Sequence, residues 1–128
     1  MIKKFTKKDH ALLKKWWDLY KWPAIPLHFL PDGFIAYVDD KPVIAGFLYI
    51  PKKGSISWFE WIIGNPFVSK EKREAGFKIL LKSILKLAKK NKKTHIMTGS
   101  NNKTFLKKLE SSGFIKTDDG ISHYLKGV

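Results

Sequence analysis

The chemistry of this chain is concentrated in Val68-Ser-Lys-Glu-Lys-Arg-Glu-Ala-Gly-Phe-Lys78, which holds the only arginine of the sequence, Arg73. Every other basic residue except histidine is a lysine. A guanidinium is a planar fork suited to bidentate phosphate recognition, whereas an ammonium is a mobile point charge. The run follows an apolar segment and leads into a long helical pattern. It is therefore expected to open a helix, where unpaired backbone N–H groups and the positive end of the helix dipole attract anions. A phosphate-binding loop is the resulting expectation. The second candidate is Glu60, the one charged residue of Trp58-Phe-Glu-Trp-Ile-Ile63. Burial in such a run raises a carboxyl pKa toward neutrality, as acid–base catalysis requires. Alternatively, Glu60 faces solvent or a lysine. Strand alternation puts Trp58, Glu60 and Ile62 on one face and Phe59, Trp61 and Ile63 on the other.

Other side chains offer less. His28, His95 and His123 lack metal-ligand spacing with one another or with a carboxylate cluster, so no metal site is expected. There is no cysteine. That excludes a disulfide framework, a thiolate metal site and a cysteine nucleophile, and makes a reducing cytoplasm the expected setting. The net charge of +14, from 25 basic and 11 acidic residues, raises nucleic acid or an anionic surface as a partner. Nucleic-acid readers usually rely on arginine, so that role is an alternative and not the favoured reading, while attraction to anionic ligands is expected. Trp16, Trp17, Trp58 and Trp61 suit core or sheet-covering places, and Trp22, beside a proline-rich loop, suits a pocket wall.

The elements that must position these groups can be read along the chain. At 128 residues, one domain spanning 1–128 is expected. The first residues lack the apolar stretch of a signal peptide, and no apolar run approaches the ~20 residues that span a bilayer, so a soluble, unexported protein is expected. Ile2 to Phe5 reads as a strand and Lys7 to Tyr20 as an amphipathic helix opened by a Thr6/Asp9 box. Trp22 to Pro31 holds three prolines and admits at best a short helical turn. Gly33 to Asp39, Pro42 to Ile50 and Ile56 to Ile63 form an antiparallel meander, its first turn at Asp39-Asp40-Lys41. Lys70 to Lys90 is a long helix, Thr94 to Thr98 a strand, and Asn102 to Ser111 a short helix stopped by Gly113. Phe114 to Thr117 and Ile121 to Leu125 close the chain as a hairpin around Asp118-Asp119-Gly120. The long helix should connect parallel neighbours by a right-handed crossover.

This α/β order of a mixed, mostly antiparallel sheet, β-α-α-β-β-β-α-β-α-β-β, resembles the GNAT superfamily of acetyl-CoA-dependent N-acetyltransferases along essentially the whole chain. The small GNAT-like proteins of tailed phages are the suggested kin. The family motif Val-x-x-x-x-(Arg/Gln)-x-x-Gly-x-(Gly/Ala) is met by Val68, Arg73 and Gly76, with Lys78 departing at the last position. A second pattern, Asn-x(6)-Tyr-x-x-x-Gly-Phe, is met by Asn102 and Gly113-Phe114, with Leu109 in place of the tyrosine that often serves as general acid.

The resemblance implies binding of acetyl-CoA by Ile62 and Ile63 on the third meander strand, by Val68, Arg73, Glu74, Ala75, Gly76, Phe77 and Lys78, and by Asn102. In that setting Gly76 would let the backbone approach a pyrophosphate closely. The resemblance also implies direct attack of an amine on the thioester, with Glu60 as base and Tyr124 standing in as acid. An alkylamine has a pKa near ~10, so a base or water chain must take its proton. Partners would be acetyl-CoA and an amine acceptor, on a monomer or homodimer. The second reading is a GNAT-fold CoA- or protein-binding module without transferase activity, which the loss of the tyrosine favours.

Overall fold

The computed structural model describes residues 1–128. The chain divides into two compact units, Met1–Thr98 and Gly99–Val128.

In the first unit the meander forms as its apolar runs require. Strands β1 (Ile2–Lys4), β2 (Asp32–Val38), β3 (Lys41–Tyr49), β4 (Ile56–Gly64) and β5 (His95–Met97) make one sheet in the order β1-β2-β3-β4-β5. The first four are antiparallel to their neighbours, and β5 runs parallel to β4. Asp39 (φ 51°) and Asp40 (φ 61°) take the two left-handed positions of the tight β2–β3 turn, a geometry that aspartate tolerates better than most side chains. The β3–β4 turn is tied down by Lys93, whose ammonium donates to Pro51 O (2.6 Å) and Gly54 O (2.7 Å).

Two helices cover opposite faces of this sheet. Helix α1 (His10–Leu19) buries Leu13, Trp16 and Trp17 against Ile35, Ala45, Phe47 and Ile63. It is preceded by a single 3-10 turn, Lys7–Asp9, where the Asp9 carboxylate accepts from the Thr6 N–H at 2.8 Å. Helix α2 (Lys70–Lys90) buries Gly76, Phe77, Leu80, Leu81, Ile84 and Ala88. It is the crossover between the parallel strands β4 and β5. Between α1 and β2 the proline-rich segment keeps only one 3-10 turn, Leu27–Phe29.

In the second unit, helix α3 (Lys103–Ser111) is capped by Asn102, whose side chain accepts from Phe105 N–H at 3.0 Å. It ends in a Schellman turn: Gly113 (φ 96°) donates to Glu110 O and Phe114 to Leu109 O. The expected closing hairpin does not form, because Phe114 to Leu125 contains no strand. Its apolar residues find no cover: Ile115, Tyr124 and Leu125 are exposed. An isolated two-stranded hairpin is marginal without a buried face, so the Asp118-Asp119-Gly120 turn alone cannot hold it together. No helix of the chain is long and apolar enough to cross a membrane.

Candidate functional site

The geometry of interest lies along β4. Phe47 pairs with Glu60 and Ala45 with Ile63, so Trp61 and Ile62 together face Gly46. This extra residue is a β-bulge, which interrupts the ladder and re-aims the side chains around it. Trp61 occupies it with φ 56°, a left-handed conformation costly for a bulky residue, on the order of 1–3 kcal/mol. A relay holds it there. The Trp61 indole N–H donates to Tyr49 Oη at 2.7 Å, and the Tyr49 hydroxyl donates to Phe29 O at 2.6 Å, tying the bulge to the proline-rich loop.

The bulge corrects the alternation expected from the sequence. Phe59 stacks with Phe77 of α2 (centroids 6.4 Å apart), whereas Ile63 belongs to the α1 cluster, with Trp61 packed against it. Phe59 and Ile63 were expected on one face and lie on opposite ones, since one inserted residue reverses the pattern beyond it. Glu60, opposite buried Phe47, stands half-buried on the α1 face, flanked by Trp58 on one side and the bulge on the other.

On its outer side β4 pairs with β5 only from Ile56–His95 to Trp58–Met97. From Phe59 to Gly64 that side carries no strand, so the bulge lies at an open sheet edge. A loop of five residues then leads to α2. Asn65, buried at 7% exposure, organises it: its N–H donates to Val43 O, its Nδ2 to Pro42 O, and its Oδ1 accepts from Phe67 N–H. The Tyr20 hydroxyl donates to Gly64 O at 3.0 Å and fixes the end of the strand to α1.

Arg73 belongs to this loop. Its Nη1 donates to Val68 O (2.6 Å) and Asn65 O (3.1 Å), and its stem lies where Gly64 has no Cβ, 2.7 Å from the position such an atom would take. The lone arginine thus clasps the loop to the first turns of α2 through carbonyls. Gly76 also differs from expectation. A Cβ there would collide with Val43 Cγ2 and stand 3.1 Å from Ile44, so its missing side chain lets α2 close onto β3. It does not bring backbone toward a ligand.

The main-chain part of the motif is displaced as well. Helix α2 begins at Lys70, so the N–H groups of Glu74, Ala75, Gly76, Phe77 and Lys78 lie within the helix, where each is donated four residues back. A pyrophosphate cannot be cradled by them. The helix mouth is at Ser69, whose Oγ accepts from Lys72 N–H (3.3 Å) and whose carbonyl accepts from Arg73 N–H (3.1 Å). The first-turn N–H groups of Lys70 and Glu71, which no helix can satisfy internally, remain for an outside acceptor. Those groups suit an anionic ligand, while the neighbouring ammoniums are engaged, Lys70 with Glu74 (3.9 Å) and Lys72 with Asp39 (3.5 Å). Val68 stands half-buried in the loop, and Phe77 is buried in the core.

In the second unit, Asn102 and Gly113-Phe114 serve as start and stop of α3, which accounts for their types without a ligand. Tyr124 is 95% exposed. Sequence reasoning missed Tyr49, which lies in an unremarkable apolar run, and Asn65, for which the only signal was an Asn-Pro turn.

No family model matches the sequence, and no curated protein matches it. Solved structures do match it in three dimensions. An acetyltransferase of Trypanosoma brucei covers 98% of this chain and 99% of its own, with TM-score 0.74 and 12% identity. A probable acetyltransferase covers 100% and 98%, with TM-score 0.72 and 16% identity. Aminoglycoside N-acetyltransferase AAC(6')-Iy, in a complex with CoA, covers 99% and 100%, with TM-score 0.67 and 16% identity. The chain therefore has the fold of the GNAT acetyltransferases.

Proposed function

We propose that this protein transfers the acetyl group of acetyl-CoA to a primary amine by direct attack. The observation that carries this reading is the bulged stretch of β4 beyond its last pair with β5, ending at the mouth of α2, where the first-turn N–H groups have no partner within the helix. Such an edge offers main-chain partners to an extended amide-bearing arm, and the mouth of α2 offers Lys70 and Glu71 N–H to phosphate. The residues fit such a ligand at Ser69–Lys72, and not at Glu74–Lys78. Solved relatives of the same fold include AAC(6')-Iy bound to CoA and to a CoA–acetylneamine bisubstrate analogue.

Glu60 is the base in this scheme. It accepts a proton from the incoming ammonium, directly or through water, so that the neutral nitrogen can attack the thioester carbon. The C–N bond forms, the C–S bond breaks, and the second N–H proton ends on the departing thiolate to give CoA thiol. Main-chain N–H groups around Ile62 and Ile63 are the proposed donors to the carbonyl oxygen. Tyr124 has no role in this scheme.

A second reading, a CoA- or protein-binding module without transfer, is favoured by one set of observations. Arg73, Gly76, Asn102 and Gly113 are each accounted for by the fold itself. Release of CoA thiol from acetyl-CoA, measured with and without a panel of primary amines, separates the two. Amine-dependent release is expected; acetyl-CoA binding without release by any amine would establish the module.

A further inference from the structure

We propose that the solvent face of helix α2, together with the β3–β4 turn beside its end, docks on the phosphate backbone of duplex DNA, whatever its sequence and independently of acetyl transfer. Lys78, Lys82, Lys86, Lys89 and Lys90 are all exposed. At about 100° per residue they fall within about a third of the helix circumference and run about 18 Å along it. They stand opposite the stripe of Phe77, Leu80, Ile84 and Ala88 that is buried in the core. Tertiary contacts then extend the row. Lys93 donates to Pro51 O and Gly54 O, and Thr94 N–H donates to Ser55 O. These bonds hold the turn, with exposed Lys52 and Lys53, beside the end of α2 that carries Lys89, Lys90 and Lys92.

The row works against the helix that bears it. Lys78 and Lys82, Lys82 and Lys86, and Lys86 and Lys90 are like charges four residues apart, which weaken a helix. Only Lys89 and Lys90, in the last turn, lie where the helix dipole favours a cation. No carboxylate occurs from Ala75 to Thr98, nor from Lys41 to Phe59. The other end of α2 is balanced, with Lys70 against Glu74 and Lys72 against Asp39. An anionic ladder relieves the unbalanced end, and duplex DNA presents about ten phosphates in about 18 Å of its axis. Lysine suits that backbone as a point charge, and without a planar fork it leaves the bases unread. The B-form major groove, about 12 Å wide, admits a helix between two rows of phosphates, whereas that of duplex RNA is too narrow. No aromatic residue lies among these lysines on α2 to stack the bases of a single strand. The apolar face of α2 is already buried, which leaves nothing to insert into a lipid surface.

The test is the affinity of the full chain for a duplex DNA of about 20 base pairs, read by fluorescence anisotropy between about 50 and 200 mM salt. With about five phosphates engaged, affinity should fall about 500-fold across that range. Lys82→Gln combined with Lys86→Gln should reduce the slope of log affinity against log salt by about two. Lys14→Gln combined with Lys15→Gln removes the same charge from exposed positions of α1, on the other face of the sheet, and should leave the slope nearly unchanged. Both variants should keep the wild-type unfolding temperature, as surface substitutions do. Equal loss in the two variants would show that net charge alone attracts DNA and would overturn the assignment to α2. No binding of the duplex at about 50 mM salt would overturn it outright. Duplex RNA, single-stranded DNA, poly-L-glutamate or anionic phospholipid vesicles bound as tightly as the duplex would overturn the choice of partner.

Discussion

The mouth of α2 and the middle of β4 make an instructive pair. The first is rich in side chains that attract a chemist's eye: a lone arginine, a glycine at motif spacing, a row of lysines. There the structure employs Arg73 as a clasp between loop carbonyls and Gly76 as a gap for Val43, and the proposed ligand is left to the anonymous first-turn N–H groups of Lys70 and Glu71. The second is a plain apolar strand with one acid. There a single inserted residue opens the ladder, turns Trp61 to a positive φ and sets Glu60 between aromatic neighbours. In one region reactive-looking side chains build the scaffold. In the other, a departure from regular backbone builds the candidate site.

Substitutions can break this contrast. The largest effect is expected from Glu60→Gln, which keeps shape but removes the base. Turnover at saturating acetyl-CoA should fall about 100-fold or more, the usual worth of a positioned base. Unchanged kcat would take Glu60 out of the reaction. Next is Gly76→Val, which forces a branched side chain into the α2–β3 contact. Overpacking of that kind costs about 1–3 kcal/mol, so the unfolding temperature should fall while the acetyl-CoA-induced shift persists. The opposite result, full stability with the shift lost, would return Gly76 to ligand binding. The smallest is Tyr49→Phe, which deprives the Trp61 indole of its acceptor and Phe29 O of its donor. A loss of about 1 kcal/mol is expected, with a change in amine KM larger than any in acetyl-CoA affinity. Equal changes in both would mean that the relay does not act on the acceptor side.

The contrast also explains what could be read from the sequence. The meander was legible because Gly33 to Ile63 alternates between β-branched, aromatic runs and turn residues, and Asp39-Asp40 marks its first turn. Helix α2 was legible from Phe77, Leu80, Leu81, Ile84 and Ala88, all buried as their spacing requires. The bulge was not legible, because Phe59, Trp61 and Ile63 look like a regular face; only tertiary pairing with Ala45 and Phe47 shows the extra residue. The C-terminal hairpin had the right local pattern, but local pattern does not supply a surface to bury Ile115 or Leu125. In the motif, the spacing of Arg73 and Gly76 pointed to phosphate binding, and their loop-closing and packing contacts could not be read from it.

The central claim is that main chain at the mouth of α2 holds the anionic part of acetyl-CoA, and Lys70→Pro tests it most directly. Lys70 is the first residue of the helix, where proline is tolerated, and Ser69 before it already has the extended ψ of 156° that proline requires. The variant therefore deletes one N–H at little cost to folding, and Lys70→Ala controls for the lost charge. Thermal unfolding of wild type with acetyl-CoA at 100 times its dissociation constant should show about 2.7 kcal/mol of added stability. Lys70→Pro should show a clearly smaller gain than Lys70→Ala at the same ligand concentration. No gain in wild type, or equal gains in the two variants, would contradict it.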